Sequence, residues 1–471
     1  MRKLAISLQD SQAFARLSGD FNPLHVDPVA ARRLQFGACV VHGVHVSLAM
    51  LEEAARQDLF DEDQIYLKET VLQFDTPLRS GQAFEVAVSK AGDRIEATAS
   101  VDGRILQRAT FVAGAGNRGV VPLDRPFGVA AAEEYTFEQM DSALGTAELA
   151  LDRVISSELF PALAGGRFSP HQFATMLAST RIVGMQRPGL HSVFTGLKLI
   201  FDSAGEAEGA LRWRISKTDR RFHLVTISLE GAAGGDISAI VRSAPMQQAT
   251  YRDIKRQTRD GARRGKRALV IGGSRGIGEA AAKILAASGA DVTITYAAGN
   301  VDAKRVCDEI VVGGGSCRAV QLDVREAIPA DFVTSPDQIF YFASPAINVS
   351  PNAVWRSELF AQYSEFYIEG FSRVVDWAIQ TRPGGAKGLF VYYPSTVFLD
   401  APIRGSGEYC AAKAAGEAMA AVWRISRPGL SIVCPRLPRL LTDQTAAIRS
   451  ASIPTADEYM LKALAELEER T

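Results

Sequence analysis

The stretch Ser18–Asp27 brings two carboxylates, an amide and an imidazole together within ten residues. Asp20 and His25 lie five positions apart on a segment that glycine and proline bend, so both side chains can face one small volume. A carboxylate and an imidazole that share a water molecule can each move a proton. The pair therefore suits the addition of water to an activated double bond, or its removal. The structural alternative is that Asp20 caps a helix and His25 packs inside a turn.

The predicted helix Gly43–Gln57 begins directly after Val41 and His42. The first backbone N–H groups of a helix have no partner within it, so they can stabilise an oxygen that gains negative charge. Gly43 has no side chain and lets a substrate come close. A base, an acid and an oxyanion donor are thus available for chemistry on an acyl thioester. His45 is predicted to be a packed or lining residue.

A second group of residues, Gly272–Gly278 (GGSRGIG), lies between a short apolar run and a helical stretch. Gly276 and Gly278 permit a tight turn and the close approach of a pyrophosphate, which the following helix N-terminus attracts. The end of the next predicted strand, Thr295–Gly299, offers no acid to hold a ribose, whereas Arg275 supplies positive charge. The pattern therefore predicts a dinucleotide site that prefers NADP to NAD.

Tyr409 and Lys413 lie four residues apart on a predicted helix and share one face of it. An ammonium beside a phenol is expected to lower the pKa of the phenol toward neutrality. Tyr409 can then pass a proton to a carbonyl oxygen as a hydride arrives, and Ser395 can hold the same oxygen. For the Tyr–Lys pair taken alone, the alternative is an ordinary helix surface.

The elements around the first group predict an α+β arrangement, in which one long helix is followed by alternating runs separated by turn residues. These runs are Phe84–Val88, Arg94–Val101 and Ile105–Val112. The pattern returns at an offset of 127 residues, where Phe74 matches Phe201 and Ser89 matches Ser216. This weak internal repeat favours a duplication in which each copy covers the exposed sheet of the other.

In the C-terminal part of the chain, short apolar runs are separated by helical stretches. This pattern predicts an α/β doubly wound domain. The predicted strands are Ala268–Ile271, Asp291–Thr295, Gln338–Ala343, Gly388–Tyr393 and Leu430–Cys434. Just before them, Tyr251–Arg267 carries eight Lys or Arg and two Asp. This segment is predicted to be a solvated linker, with a docking strip for an acidic partner or a phosphate as the alternative.

Two strings in the first part, FARLSGDFNPLHVD from Phe14 and VVHGVHVSLAM from Val40, resemble the MaoC-like (R)-specific enoyl-thioester hydratases and dehydratases of the hot-dog fold. The resemblance implies that Asp20 and His25 are the catalytic pair. It also implies that Asn22 orders the loop and that the Gly43 amide serves the oxyanion hole. The second copy lacks this string, and its candidates for chemistry are His171, His191 and Ser192. We therefore expect it to be a non-catalytic hot-dog copy that shapes the acyl tunnel of the first.

The C-terminal motifs resemble the short-chain dehydrogenase/reductase family over roughly residues 266–445, with Tyr409-Cys-Ala-Ala-Lys413 in place of its Y-x-x-x-K motif. This resemblance implies a Rossmann fold in which Ser395, Tyr409 and Lys413 are catalytic. The residues that it implies in cofactor binding are Gly272, Ser274, Arg275, Gly276, Ile277, Gly278, Asp323, Val324, Ala343, Tyr409, Lys413 and Thr442.

This sequence departs from the family pattern at several positions. The N-N-A-G stretch reads Tyr341–Ser344, and Tyr367 stands for the asparagine that often helps to relay protons. Ser395 is fourteen residues before Tyr409, which makes the neighbouring Thr396 a rival for the hydroxyl role. These departures bear on the proton relay and the substrate class more than on cofactor binding.

Composition narrows the classes of function. Lys and Arg number 52 and Asp and Glu 53, a formal net charge of −1, so a globally basic nucleic-acid-binding surface is not expected. No apolar run of about 18 residues is present and the start of the chain has no secretory pattern, which predicts a cytoplasmic protein without a membrane span. The five cysteines are sparse and show no C-x-x-C spacing, which predicts reduced thiols and no metal site.

Together these patterns predict a hot-dog dehydratase domain at 1–125, a second hot-dog at 126–250, a basic linker at 251–265 and a Rossmann domain at 266–471. We expect an NADPH-dependent 3-ketoacyl-thioester reductase joined to a (3R)-hydroxyacyl-thioester dehydratase, in fatty-acid or polyketide-like biosynthesis. Substrates on acyl carrier protein or coenzyme A and a homodimer are the default expectations. The rivals are a degradative hydratase with an NAD-linked dehydrogenase, a carrier-protein docking subunit with an inactive reductase fold, and a reductase of a non-acyl ketone.

Overall fold

The computed structural model describes residues 2–34, 36–60, 65–114, 119–201, 208–330, 332, 335–347, 354–443 and 453–468. The chain forms two compact units, Met1–Ala244 (unit 1) and Pro245–Thr471 (unit 2). Each unit has its own large sheet and its own buried core.

Unit 1 is built on one antiparallel sheet of ten strands. The strands are β1 (Arg2–Ala5), β2 (Leu67–Phe74), β3 (Ala83–Ala91), β4 (Arg94–Val101), β5 (Arg104–Ala113), β6 (Leu144–Glu148), β7 (Ser192–Ile200), β8 (Ala210–Asp219), β9 (Leu224–Gly231) and β10 (Gly234–Val241). Their order across the sheet is β1-β3-β4-β5-β2-β7-β10-β9-β8-β6.

Each half of this sheet is paired with one long helix. The helices of unit 1 are α1 (Leu8–Ser18), α2 (Pro23–Val26), α3 (Pro28–Ala31), α4 (Gly43–Arg56), α5 (Arg153–Leu159) and α6 (Pro170–Arg181), the last of which continues as a π-helix over Ile182–Gln186. Helix α4 packs against β3, β4 and β5, and α6 contacts β8. A helix followed by four strands thus occurs twice, and the predicted double hot-dog architecture is confirmed.

The two repeats join edge to edge through β2 and β7, where Leu72 lies opposite Leu197 and Gln73 opposite Gly196. A single hydrophobic core extends through both repeats. Each repeat therefore covers the open strand edge of the other, which would otherwise be available for aggregation. The predicted boundary at residue 125 separates two repeats inside one unit rather than two independent domains.

Unit 2 contains a parallel sheet with the strand order of a doubly wound fold, as predicted. Its strands are β11 (Arg267–Ile271), β12 (Asp291–Tyr296), β13 (Ser316–Gln321), β14 (Gln338–Tyr341), β15 (Leu389–Tyr392), β16 (Ser395–Thr396), β17 (Leu430–Val433) and β18 (Arg436–Leu437). The main sheet is ordered β13-β12-β11-β14-β15-β17, and β16 pairs with β18 beside it. The ladder is parallel throughout, and the hydrophobic side chains of its central strands are buried.

Helices flank this sheet. They are α7 (Tyr251–Gln257), α8 (Gly276–Ala287), α9 (Asn300–Val312), α10 (Ser357–Ser364), α11 (Phe371–Thr381), α12 (Gly407–Ser426) and α13 (Ala456–Glu468), with a π-helix over Glu365–Gly370 between α10 and α11. The β11–loop–α8 passage places the predicted dinucleotide loop at the carboxyl end of a central strand, where doubly wound folds bind their ligands.

The interpretation of residues 251–265 as a solvated linker is wrong. Tyr251 and Ile254 of α7 are 1% and 0% exposed and belong to the core of unit 2. The ring of Tyr251 fits against Gly313 and Gly315, where a Cβ would lie within 2.2 and 2.5 Å of its atoms. Arg263 is also buried, at 6% exposed, and pairs with Glu468 at 3.0 Å. The other charged residues of the segment are exposed, and in the sequence they concealed two apolar residues spaced by one helical turn.

Among the described residues, no helix is both long and apolar enough to cross a membrane. All five cysteines are free thiols.

His45 on α4 is packed into the core of unit 1, as expected from its position. Its ring stacks on Phe14 with 4.5 Å between centroids and meets Phe160 edge-on at 5.5 Å. Burial lowers the pKa of His45 from 6.5 to about 3. The unfolded chain therefore binds a proton that the folded chain excludes over this pH range.

His45→Phe tests this linkage. The folded-state pKa lies below the unfolded value, so the stability of unit 1 is complete above pH 6.5 and falls as the pH decreases toward about 3. One such histidine contributes a slope of about 1.4 kcal/mol per pH unit. We expect the phenylalanine variant to lose that part of the slope, measured by urea unfolding with hydrogen-exchange readout of peptides from residues 1–244. An unchanged slope would show that His45 accepts its proton in the folded state.

Candidate active sites

The turn after α1 carries Asp20 into the interior of unit 1. Gly19 adopts a left-handed conformation (φ 79°) and its N–H donates to the Ala15 carbonyl at 2.8 Å, which ends the helix. A Cβ on Gly19 would lie 2.7 Å from the Arg181 side chain, so the glycine also permits close packing. Asp20 follows directly and is 1% exposed.

His25 lies on the short helix α2 and faces the same volume. Asn22 caps this helix by accepting from the Leu24 N–H at 3.1 Å. The Nδ1 of His25 is 2.7 Å from the Val40 carbonyl oxygen, so Nδ1 donates and Nε2 keeps the free lone pair. Ligand atoms of Asp20 and His25 lie within 4.8 Å of each other, and the structure therefore brings the predicted pair together.

His42 is a third member of this cluster that the sequence interpretation did not assign to it. Its ring stacks on His25 with 3.9 Å between centroids, and its Nε2 bonds the Asp20 carbonyl oxygen at 3.0 Å. His42 is fully buried, and burial holds its pKa well below 6.5. In the sequence, the position of His42 directly before Gly43 at the start of α4 was the signal that could have placed it in this cluster. Only the folded chain shows that this start lies against His25.

Three groups of the second repeat hold the Asp20 segment. The Thr180 hydroxyl donates to Asp20 Oδ2 at 2.7 Å. Asn22 Nδ2 donates to the Gly184 carbonyl at 3.0 Å, so the predicted loop-ordering role of Asn22 is directed at the second repeat. Arg181 Nη1 donates to the Ser18 carbonyl at 3.3 Å. The repeat that lacks the catalytic string thus forms one wall of the Asp20–His25 site.

Burial dominates the electrostatics of the pair. It raises the pKa of Asp20 above 3.8 and lowers the pKa of His25 below 6.5, while the attraction between the two groups opposes both shifts. Arg242 lowers the pKa of His25 further. These directions shift the imidazole toward its neutral form and the carboxyl toward its protonated form. Such a pair shares one proton and can deliver it from either member.

Asp20, His25 and His42 also have the donor types of a metal site. The two imidazoles are stacked with an interplanar angle of 26°. Each ring bonds one nitrogen to a backbone carbonyl, of Val40 for His25 and of Asp20 for His42, as metal-ligating histidines also do. The absence of a metal from this cluster stays a prediction.

Gly43 is the first residue of α4, and in the described part of the chain the side chain of His42 does not cap the helix. A Cβ on Gly43 would lie 2.8 Å from the Phe74 ring, so glycine is required for the packing of α4 on β2. The predicted oxyanion donor therefore lies at an uncapped helix start that adjoins the His25–His42 stack.

The candidates of the second repeat make structural contacts. His171 Nε2 bonds the Ala232 carbonyl oxygen at 3.0 Å, and His191 Nε2 meets the Glu134 carboxylate at 2.8 Å. Ser192 is buried at the first position of β7. The absence of catalysis in this repeat stays a prediction.

The glycine loop of unit 2 has the shape of a phosphate cradle. Gly272 and Gly276 have φ of 78° and 57°, and a Cβ on Gly278 would lie 2.2 Å from the Gly272 carbonyl oxygen. The Gly272 N–H donates to the Thr295 hydroxyl at 3.1 Å, which fixes the loop to the end of β12. Helix α8 starts at Gly276 without a side-chain cap in the described part of the chain. Ser274 and Ile277 complete this loop between β11 and α8.

The structure brings two of the other predicted cofactor residues, Ala343 and Thr442, to this loop. Thr442 lies 3.6 Å from the Cβ position of Gly276, and Ala343 borders Gly272. Asp323 and Val324 follow β13, where Asp323 pairs with Arg325 at 2.6 Å. Arg275 Nη1 is bonded to the Asp443 carboxylate at 2.9 Å, a partner that the sequence did not indicate.

Tyr409 on α12 meets Thr396 rather than Ser395. The hydroxyl groups of Tyr409 and Thr396 are hydrogen-bonded, whereas Ser395 faces the Glu417 carboxylate. Both residues lie on β16, and neighbouring residues of a strand point to opposite faces. The structure therefore places Thr396, the rival for the hydroxyl role, beside Tyr409, and which hydroxyl serves the reaction stays a prediction.

The expected depression of the pKa of Tyr409 is also wrong. Burial raises that pKa from 10 to about 12. Lys413 Nζ donates to the Pro394 carbonyl at 2.8 Å and lies 3.8 Å from the centre of the Tyr367 ring, and burial lowers its pKa to about 7. Tyr367 meets Tyr409 edge-on at 5.8 Å and bonds the Ser344 hydroxyl at 2.6 Å. The ammonium is thus directed at Tyr367 and Pro394 instead of the phenol of Tyr409.

Comparisons with known proteins match the two parts separately. The MaoC like domain family matches residues 1–110, and the short chain dehydrogenase family matches residues 266–334. The chain is 33% identical over 89 residues to the 3-hydroxybutyryl-CoA dehydratase of Methylorubrum extorquens, covering 19% of this chain and 55% of the relative. It is 47% identical over 64 residues to the 3-oxoacyl-[acyl-carrier-protein] reductase of Synechocystis sp., covering 14% and 26%.

A dehydrogenase/reductase structure from Sinorhizobium meliloti is 22% identical with a TM-score of 0.39, covering 46% of this chain and 90% of that one. The chain spans about half or less of the length of the two curated relatives. The part that the MaoC like domain family matches includes Asp20 and His25, and the part that the short chain dehydrogenase family matches includes the glycine loop. The chain joins a MaoC-like domain at its N-terminus to a short-chain dehydrogenase domain in its C-terminal half.

Proposed function

We propose that the protein reduces 3-ketoacyl thioesters with NADPH and dehydrates the resulting (3R)-hydroxyacyl thioesters, in fatty-acid or polyketide-like biosynthesis. The observation that carries this proposal is the buried Asp20–His25 pair, beside an uncapped helix start, in a chain that also holds a dinucleotide loop and a Tyr–Lys pair. The product of the reduction is the substrate of the dehydration. One polypeptide with both activities raises the local concentration of the intermediate.

The dehydratase step uses the proton that Asp20 and His25 share. The free Nε2 of neutral His25 takes the proton from C2 of the thioester. Asp20 gives its proton to the 3-hydroxyl group, which leaves as water. Both pKa directions favour this assignment, because burial shifts the carboxyl toward its protonated form and the imidazole toward its neutral form. The amide at the start of α4 stabilises the enolate oxygen.

The reductase step depends on residues of unit 2 around Tyr409. The glycine loop and the uncapped start of α8 fit a pyrophosphate, because side chains at Gly272, Gly276 and Gly278 would fill or strain the cradle. A bound nicotinamide dinucleotide supplies the hydride. Tyr409 donates its proton to the ketone oxygen, and Thr396 orients the phenol.

The state of Tyr409 fits the role of a proton donor. With a pKa of about 12 the phenol keeps its proton at neutral pH and acts as an acid toward a ketone. The names of the two relatives, a 3-oxoacyl-carrier-protein reductase and a 3-hydroxybutyryl-CoA dehydratase, describe the same two reaction types. Acyl carrier protein or coenzyme A as carrier, a cytoplasmic location and a homodimer belong to this proposal.

A second candidate is a unit 2 that binds the dinucleotide without turnover. The observation that favours it is the engagement of Lys413 with Pro394 and Tyr367, which directs the ammonium away from Tyr409. Tight NADPH binding by a protein that does not oxidise NADPH with any 3-ketoacyl thioester would support this candidate. Selective use of NAD for oxidation of 3-hydroxyacyl thioesters would indicate the degradative direction.

Asp20→Asn and Tyr409→Phe are expected to separate the two activities. The first removes the proton donor of the dehydratase and lowers hydration of crotonyl thioesters by about 10²- to 10⁴-fold. The second lowers NADPH oxidation with acetoacetyl thioesters by a similar factor. Each variant should keep the rate of the other reaction within about threefold of the wild-type rate, since a substitution away from a site has a small effect on it. Loss of both reactions in either variant would contradict two separate sites.

Arg275→Ala tests the NADP preference. Arg275 is the basic residue of the loop, and residues 295–299 provide no carboxylate for a ribose hydroxyl pair. Loss of a charge-assisted contact to a 2′-phosphate is expected to raise the KM for NADPH about 10- to 100-fold while the KM for NADH changes little. Arg259→Ala, at an exposed position, is the matched control. Equal effects of Arg275→Ala on both cofactors would refute the assignment.

Thr396→Val and Ser395→Ala identify the hydroxyl that serves Tyr409. We expect Thr396→Val to lower the reductase kcat about 10- to 100-fold, because the phenol loses its hydrogen bond. We expect Ser395→Ala to keep kcat within about threefold of the wild-type value. Thr396→Ser should retain most of the activity, since it keeps the hydroxyl. A larger loss in Ser395→Ala would return the role to Ser395.

A further inference from the structure

The Asp20 carboxylate makes its side-chain hydrogen bond to a residue 160 positions away, in the repeat without the Asp–His motif. Thr180 Oγ1 donates to Oδ2 at 2.7 Å, and Asp20 Oδ1 accepts from the Asn22 N–H at 3.2 Å. Thr180 is 3% exposed and lies in the last turn of α6. Because the site is closed to solvent here, a donor to this oxygen has to come from the protein itself.

The backbone after Thr180 is shaped around the same carboxylate. Helix α6 passes into the π-helix Ile182–Gln186, and a Cβ on Gly184 within it would lie 2.2 Å from Asp20 Oδ1 and 2.6 Å from Oδ2. Any side chain at this position would displace the acid. The wider helical turn also presents the Gly184 carbonyl to Asn22 Nδ2 at 3.0 Å. π-helical turns are rare and occur often at functional sites.

We propose that Thr180 is a positioning residue of the dehydratase site, whose hydroxyl holds the Asp20 carboxyl in the orientation that faces His25. The inference rests on the proposed dehydratase function and extends it, because it makes the motif-free repeat part of the active site. Gly184 provides the space that this orientation needs.

The hydroxyl has a second effect on the acid. Thr180 donates to the charged form of Asp20 and so lowers a pKa that burial raises. Without this donor the carboxyl binds its proton more tightly and delivers it less readily. Loss of the hydroxyl therefore alters both the orientation of Asp20 and the pH at which the pair carries its single proton.

Thr180→Val is the direct test, since it removes the hydroxyl and nearly conserves the shape. In full-length protein with crotonyl-coenzyme A we expect kcat for hydration to fall about 10- to 100-fold, the range for a hydrogen bond to a charged group. We expect KM to change less than about threefold and the pH profile of kcat/KM to move to higher pH. Thr180→Ser, which keeps the donor, should restore most of the rate and the original profile.

Thr175→Val is the matched control for a purely structural effect. Thr175 lies on α6 as well, is fully buried, and donates to the His171 carbonyl at 2.8 Å without contacting Asp20. We expect it to lose some stability but to keep the wild-type pH profile. If Thr180→Val does not fold, Thr180→Ala and Thr180→Ser with the same assay still separate the hydroxyl from the methyl group.

The outcomes also separate this inference from the function on which it rests. If the wild-type protein hydrates crotonyl-coenzyme A and Asp20→Asn does not, the dehydratase function stands. In that case, an unshifted pH profile and an undiminished kcat in Thr180→Val overturn the positioning role. If Thr180→Ser is as impaired as Thr180→Val, the hydroxyl is not the active feature and the inference fails. If the wild-type protein does not hydrate the thioester, the function itself is wrong.

Discussion

Unit 1 depends on burying one carboxyl group where water cannot solvate it. An isolated buried carboxylate is costly, and it persists when surrounding groups satisfy its oxygens or when it takes up a proton. Asp20 has both routes available, through Thr180 and Asn22 as donors and through its raised pKa. The left-handed Gly19 and the side-chain-free Gly184 exist around it because a bulkier residue at either place would collide with its surroundings. The joined ten-stranded sheet keeps the two repeats in the register that this arrangement needs.

Unit 2 buries a group of the opposite charge type, the amine of Lys413. Lys413 is surrounded by the aromatic rings of Tyr367 and Tyr393 at 3.8 and 5.0 Å and has the Pro394 carbonyl as its hydrogen-bond acceptor. Aromatic faces stabilise a cation only in part, and desolvation accordingly lowers the pKa of this amine to about 7. An amine with that pKa is close to half-charged at neutral pH. Small changes in its surroundings therefore alter its charge.

Short-range patterns were sufficient to predict β3, β4 and β5 of unit 1, all strands of the main sheet of unit 2 except β13, and the cofactor loop. Period-two alternation located the three strands of unit 1, and the glycine spacing located the turn from β11 into α8. Asp20 and His25 were also predictable, because they lie on one bent segment. Thr180 and the role of His42 were not, since both depend on contacts between distant parts of the chain. The prediction of a lowered pKa for Tyr409 was wrong for another reason. The helical spacing between Tyr409 and Lys413 gives no information about burial, and burial dominates the pKa of Tyr409. Helix α7 was not predicted because the eight Lys and Arg residues of segment 251–267 made it look solvated. Its two buried residues, Tyr251 and Ile254, are too few to show a clear apolar pattern in the sequence.

The anchoring of α7 changes where the chain after unit 1 becomes fixed to unit 2. The ring of Tyr251 packs against Gly313 and Gly315. The Ala249 N–H donates to the Asp457 carboxylate at 2.7 Å, and the Ala249 carbonyl oxygen accepts from Lys283 Nζ at 2.9 Å. The chain is therefore fixed to unit 2 from Ala249 onward, not only from residue 266. Under the proposed function, inserting glycine and serine ahead of Ala249 would lengthen the connection between the two active sites and lower the effective concentration of the intermediate, without changing either site.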